Sequence, residues 1–307
     1  MKFLTFKHQT EPHLGVLLDN ERILDLTRAW SQQAHRLSDT AAPTSVGALI
    51  RLGDDAIAVV AALVDAARSA QGSPVTALAT AELLPPVIRP GKNVFCVGRN
   101  YREHIIEGNL ARGRDPHDFP KAIEFFSKPP TTVVGHGASV KRHAGITAML
   151  DYEVELGIVI GKRGADIRRE DALDHVFGYT IVNDITARDL QALHGQWFKG
   201  KGLDTTCPIG PVVAHRSVIA NPNALELTLF VNDELRQKAN TSDMLFDVSQ
   251  VIEQLSKGLT LEPGDIIATG TPSGVGFAMT PPRSLAVGDR VRAGIEGIGE
   301  LVNTIVD

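Results

Sequence analysis

Apolar and polar residues alternate in short runs near the start of the chain. Lys2 to Lys7 and Leu14 to Leu18 predict strands around a turn at Asp19-Asn20, and Arg22 to Leu26 predicts another. From Ala56 to Ala70, Ala, Val and Leu recur at helical spacing and predict a helix. None of these segments offers an obvious chemical group. Three prolines and a glycine between Leu83 and Gly91 then mark a boundary between a small N-terminal α/β domain, residues 1–85, and a main domain, residues 86–307.

Beyond Pro90 the apolar runs are short and β-branched: Val94 to Val97, Leu156 to Ile160, Tyr179 to Val182, Leu225 to Val231, Asp265 to Ala268 and Arg290 to Ile295. Few helical patterns intervene, Asp243 to Lys257 being one. This profile predicts an all-β or β-dominated α+β fold rather than a doubly wound sheet. No GxGxxG follows a first strand, and the glycine-rich run Gly270 to Gly276 lacks the Gly-Lys-Ser/Thr of a phosphate loop, which disfavours nucleotide binding.

Composition narrows the functional classes. With 307 residues, 43% hydrophobic and 22% charged, the chain can bury an ordinary core without disulfides. A net charge of -5 gives no general attraction to nucleic acid or anionic membranes, so any positive charge met by a substrate must be local. Two isolated cysteines, Cys96 and Cys207, argue against a cysteine zinc site and fit a reducing compartment. With no membrane-spanning run and no leader pattern, the expectation is a soluble, cytoplasmic protein.

The richest chemistry lies in Asp151-Tyr152-Glu153-Val154-Glu155-Leu156. On a strand, Glu153 and Glu155 share a face with a spacing of about 7 Å. They repel unless something positive lies between them. A solvated strand face is the plain alternative. A third carboxylate, Asp184, ends the apolar run Phe177 to Asn183, where local sequence favours an N-cap for a helix starting at Ile185. Three carboxylates without histidine or cysteine would suit Mg2+, Mn2+ or Ca2+ better than Zn2+. His104 and Glu107 sit one helical turn apart, a spacing that suits a carboxylate-oriented general base and equally a surface ion pair. Lys199 and Lys201 flank Gly200 in an apolar, aromatic setting, where a lysine could stabilise an enolate oxygen or simply sit in a loop.

Taken in order, these segments resemble the fumarylacetoacetate hydrolase family. The marks are Val97-Gly98-Arg99-Asn100-Tyr101, Phe126-Ser127-Lys128-Pro129, Asp151 to Leu156, Asn183 to Gln191, Lys199-Gly200-Lys201 through Pro208 to Pro211, and Thr269 to Gly276. They cover roughly residues 92–307. The resemblance implies a catalytic domain of rolled and sandwiched mixed sheets in a homodimer, with Mg2+ or Mn2+ (Ca2+ in vitro) on Glu153, Glu155 and Asp184. It further implies water activation by His104 with Glu107, Lys201 beside the metal, and Arg188, Gln191 and Thr271 along the substrate pocket. Gly202-Leu203 departs from the Ser or Thr and then Phe or Met of many members.

The expected reaction is metal-dependent hydrolysis of a C–C bond in an acylpyruvate or other 1,3-dioxo acid. Its rival on the same site is decarboxylation or keto–enol tautomerisation of an oxaloacetate-like acid. A ligand-binding protein and a Ca2+-stabilised scaffold are the readings from other classes. Gly108 to Lys121 and Gly276 to Ser284 are expected to set specificity, and their charges (Arg112, Arg114, Asp115, Asp118, Arg283) point both ways.

Overall fold

The computed structural model describes residues 1–37, 40–69 and 72–307. Among them the strands form a twelve-stranded sheet, a five-stranded sheet and a two-stranded ribbon. The fold is α+β, strand-dominated, with open sheets. Its centre is the antiparallel pair Val154–Ile160 and Val176–Asn183, every residue of which is buried. Burial on both faces explains why these strands read as unbroken apolar runs instead of alternating ones.

Each face of that pair has its own cover. Ile158, Ile160 and Tyr179 join one core with Leu227, Leu229, Val291 and Ala293 of the five-stranded sheet. Val159 and Phe177 point the other way, into a core with Trp30, Leu49, Val60 and Leu63 of the N-terminal helices. The N-terminal strands extend the large sheet, since Lys2 and Phe3 of Lys2–His8 pair with Ala214 and Val213 of Cys207–His215. No helix among the described residues is long and apolar enough to cross a membrane.

The strands expected after Pro90 all form, as Val94–Gly98, Val154–Ile160, Val176–Asn183, Glu226–Val231, Ile266–Ala268 and Arg290–Ile295. The helix expected from Ala56 runs Asp54–Ser69, opened by two acidic residues that suit a helix N-terminus; Ala70 lies outside the described residues. The helix expected from Asp243 begins only at Val248, because Asp247 and Gln250 form a reciprocal capping box there. Helices Leu26–Leu37 and Val46–Leu52 and strands Cys207–His215, Glu234–Asn240 and Gly299–Val306 were not anticipated from the pattern.

His215 lies at the end of its strand, edge-on to Phe3 and Phe177 with ring centroids 6.3 and 5.2 Å away. Burial, aided by nearby positive charge, pulls its pKa down to about 4. The folded state therefore prefers the neutral ring. Its contribution to stability is complete above the ordinary value near 6.5 and disappears as the pH falls from there through about 4. In urea titrations across that window, His215→Gln should show a shallower loss of stability with acid than the wild type.

Candidate active site

Three strand ends converge at one end of the central pair. Val154–Ile160 starts one residue after Glu153, so Glu153 lies in the bend that follows Leu150–Asp151 and not on the strand as expected. Asn183 Oδ1 accepts the Glu153 N–H at 3.1 Å, and Glu153 O accepts the Asp184 N–H at 2.8 Å, which fixes the bend against the neighbouring strand. The bend draws the side chains inward. Oxygens of Glu153, Glu155 and Asp184 all lie within 4.8 Å of one another, and all three residues are buried.

Asp184 caps no helix. Thr186–Ala187 forms a short strand, and the helix that follows is Arg188–Leu193, with Ala187 at its start and no side-chain cap. The Asp184 carboxylate instead faces two buried ammonium groups. Lys201 Nζ donates to Asp184 Oδ2 at 2.5 Å and to Glu153 Oε2 at 2.7 Å. Lys128 Nζ lies 2.8 Å from Asp184 Oδ1 as an ion pair without hydrogen-bond geometry, and donates to Ile185 O at 2.9 Å. Lys201 belongs to a short helix, Phe198–Lys201, whose Lys199 is exposed; only one of the two lysines reaches the site.

Arg188 completes the cluster. Its Nε donates to Asp151 Oδ2 at 2.9 Å, its Nη2 lies 2.7 Å from Glu153 Oε1, and its Nη1 donates to Gln191 Oε1 at 3.3 Å. Charge then sorts the titrations. Burial disfavours the charged form of Glu153, but Lys201 and Arg188 outweigh it and hold the carboxyl well below the usual range. Glu155 forms no ion pair among the described residues; burial first, then Asp184 and Glu153, push it well above that range against the weaker pull of Lys201 and the Gly270 N–H. Burial acts against the Lys201 ammonium too, yet Asp184 and Glu153 raise it above the ordinary lysine value.

The donor set fits a hard divalent cation. It is all oxygen, and Asp184 Oδ1 has no hydrogen-bond donor. The four carboxylates Asp151, Glu153, Glu155 and Asp184 also outnumber the three cations Lys128, Arg188 and Lys201 touching them. A buried excess of negative charge is costly unless a cation offsets it.

The glycine-rich run that fails as a phosphate loop turns its N–H groups on the protein's own carboxylates. Gly270 N donates to Glu155 Oε2 at 2.8 Å, Gly276 N to Asp151 Oδ1 at 2.8 Å, and Gly274 N to Glu107 Oε2 at 2.9 Å. Glu107 in turn holds His104, whose Nδ1 lies 2.9 Å from Glu107 Oε1 within the helix Arg102–Ala111. Only glycine fits at Gly274: its φ is +101°, and an added Cβ would lie 1.9 Å from Arg236 O. Gly274→Ala should shift the loop, lower thermal stability by about 1–3 kcal/mol and reduce kcat by loosening Glu107; melting curves and steady-state rates check both.

His104, Glu153, Glu155, Gln191, Lys201 and Thr271 line one cleft of about 630 Å3. Asp184, Arg188 and Glu107 stand behind that wall. Thr271 is already engaged, donating to Val154 O at 3.0 Å and accepting from Gln237 Nε2 at 2.9 Å. The sequence pattern assigns no role to Lys128, Asp151 or Gln237, although Lys128 and Asp151 lie inside segments that carry the family resemblance. It also left the charged segment after His104 undecided. Arg112 and Arg114 line the cleft, whereas Asp115 and Asp118 do not.

A sequence profile described as fumarylacetoacetate (FAA) hydrolase C-terminal matches residues 93–306. The chain belongs to the fumarylacetoacetate hydrolase family. An oxaloacetate tautomerase, YisK, of Bacillus subtilis (strain 168) is 48% identical over 99% of this chain and all of that protein. Among solved structures, a fumarylacetoacetate hydrolase from Exiguobacterium antarcticum is 37% identical, with a TM-score of 0.80, over 100% of this chain and 99% of the other. A maleylpyruvate hydrolase from Sphingobium sp. SYK-6, in complex with manganese (II) ion and pyruvate, is 32% identical, with a TM-score of 0.76, over the same shares. Family members of this kind are enzymes, and the buried acidic triad suits a divalent metal.

Proposed function

We propose that this enzyme interconverts the keto and enol forms of an oxaloacetate-like 2-oxo dicarboxylic acid. The observation that carries the reading is the shared cleft. Glu153 and Glu155 of the acidic triad and His104 open onto one cavity, and Arg112, which donates to Gly108 O and lies over the Phe277 ring, stands with Arg114 in the same wall. Neither arginine has a carboxylate partner among the described residues, in a chain whose net charge is -5. A substrate with a second carboxylate supplies the missing charge. The similarity to an oxaloacetate tautomerase points the same way.

Glu153, Glu155 and Asp184 would hold Mg2+ or Mn2+, which when bound supplies Lewis acidity to the oxygens of a 2-oxo acid. The remaining work falls to side chains. Glu107 accepts from His104 Nδ1, which leaves Nε2 free to accept a proton. His104 removes a proton from C3; the C–H electron pair becomes the C2=C3 bond as the C2=O π pair moves onto the 2-oxo oxygen, and the same ring returns the proton to that oxygen. Charge developing on that oxygen is met by the Lys201 ammonium in the cleft wall. Gln191 and Thr271 orient the acid from the cleft wall, and Arg188 acts from behind it by positioning Gln191 and Glu153.

A second reading, hydrolysis of a C–C bond in an acylpyruvate-type acid, is favoured by the similarity to a maleylpyruvate hydrolase. There the same ring would take its proton from water. A Mg2+-supplemented panel separates the readings. Enol oxaloacetate should lose its ultraviolet absorbance faster than in buffer without releasing CO2 or pyruvate. Release of pyruvate with a carboxylic acid from acylpyruvates, and inertness toward oxaloacetate, would overturn tautomerisation in favour of hydrolysis. CO2 release at the rate of absorbance loss would make it a decarboxylase.

A further inference from the structure

The N-terminal strands, in which the apolar pattern shows no chemistry, place two imidazoles and a carboxylate together. Lys2–His8 and Glu11–Leu17 form a hairpin in which Phe6 opposes His13 and His8 opposes Glu11. Glu11–Leu17 pairs onward with Arg22–Asp25, where Gly15 opposes Asp25. Opposed residues and residues two apart share a face, so His8, His13 and Asp25 project from the same side of three neighbouring strands. His13 Nδ1 lies 2.8 Å from Asp25 Oδ2. The His8 ring stacks on His13 at 4.7 Å between centroids and 34° between planes. One nitrogen from each ring and one Asp25 oxygen lie within 4.8 Å of one another.

We propose that His8, His13 and Asp25 form a second metal site, for a borderline transition cation of the Zn2+, Ni2+ or Cu2+ class. Donor chemistry separates it from the cleft. Two imidazoles with one carboxylate select such ions, whereas the all-oxygen triad selects Mg2+ or Mn2+. The framework is already built around the carboxylate. Asp25 is fully buried, and its other oxygen accepts the Arg28 N–H at 3.0 Å, where the helix Leu26–Leu37 begins. That bond aims Oδ2 at His13. The His13 ring is itself braced edge-on by Phe6 at 6.0 Å. Asp25 serves either as a ligand or as the carboxylate that orients a ligating His13, an arrangement common around histidine-bound metals. His8, the last residue of its strand, is only partly buried, and rotation of its ring closes the site. None of the three residues lines the cleft. A cation here would tie together three strands and the start of a helix, so its effect falls on the stability of the N-terminal part rather than on turnover.

The test is zinc binding to the full-length chain in excess Mg2+, by competition with a chromogenic chelator and by Zn2+-dependent thermal shift. The wild type should bind one zinc per chain that Mg2+ does not displace, and melt at a higher temperature with it. His8→Gln removes a partly exposed ligand and should weaken that zinc at least tenfold, while Mg2+ binding and turnover stay unchanged. Asp25→Asn retains a good helix cap but loses the charge, and should weaken it by about 10–100-fold. With Co2+ in place of zinc, the visible spectrum should show nitrogen ligation that His8→Gln alters. Equal zinc affinity in wild type, His8→Gln and Asp25→Asn would overturn the site. So would zinc binding that Mg2+ displaces or that Glu155→Gln abolishes, since that zinc would sit in the cleft.

Discussion

Replacing Asp184 by alanine should abolish Mg2+ binding and cost about 3–5 kcal/mol of stability. The magnitude follows from what the carboxylate faces. Lys128 and Asp184 are both 0% exposed, and Lys201 is 3% exposed. Without Asp184, Lys128 keeps its hydrogen bond to Ile185 O but loses its carboxylate, and Lys201 is left with Glu153 and the Phe126 ring 4.8 Å away. Breaking a buried pair leaves an uncompensated charge, which costs more than the pair ever contributed. Asp184→Asn, which keeps the shape and removes the charge, should be destabilised as well, and that rules out a cavity as the cause. Urea unfolding with and without Mg2+ reads both effects. Saturation to about 100 times Kd should stabilise the wild type by about 2.7 kcal/mol, and neither variant should respond.

His104→Ala should lower kcat by about 10²–10⁴-fold while leaving Mg2+ affinity and melting temperature close to wild type. The side chain is 13% exposed at the cleft wall, and its ring is held by Glu107. It touches none of the triad's ion pairs. Glu107→Gln should cost less than His104→Ala, because Glu107 acts through the ring it positions. Isothermal titration with Mg2+ next to steady-state rates separates lost chemistry from lost metal.

Motif order made the triad legible in the chain, but the local signals around its members were misleading. Asn183-Asp184 ahead of a polar stretch looks like a helix start. Its actual partners, Lys128 and Lys201, come from distant segments, which no capping rule can see. Glu153 and Glu155 suggested one strand face, yet the hydrogen bond from Glu153 N to Asn183 bends the chain just before the strand and brings their oxygens together. The glycine-rich run lacks a phosphate-loop lysine, which disfavours nucleotide binding without showing what its N–H groups meet. Its N–H groups serve Glu155, Glu107 and Asp151, a use that depends on three other segments of the chain. For the charges after His104, the sequence carries no sign of which side faces the cleft. The turn that ends the helix at Ala111 decides it, sending Arg112 and Arg114 inward and leaving Asp115 and Asp118 off the wall. Fold class was readable earlier, because buried β-branched runs bounded by Gly and Pro leave few alternatives to strands.

Proton transfer at C3 of a 2-oxo acid is the central claim, and nuclear magnetic resonance in D2O tests it most directly. Enol-rich oxaloacetate is mixed with Mg2+-loaded protein, and the keto form, deuterium at C3 and any pyruvate are followed together. Wild-type protein should speed the keto–enol conversion and C3 deuteration well beyond buffer with no pyruvate formed, and His104→Ala should return both to the buffer rate. Conversion no faster than buffer, or pyruvate accumulating in step with oxaloacetate loss, would contradict the account.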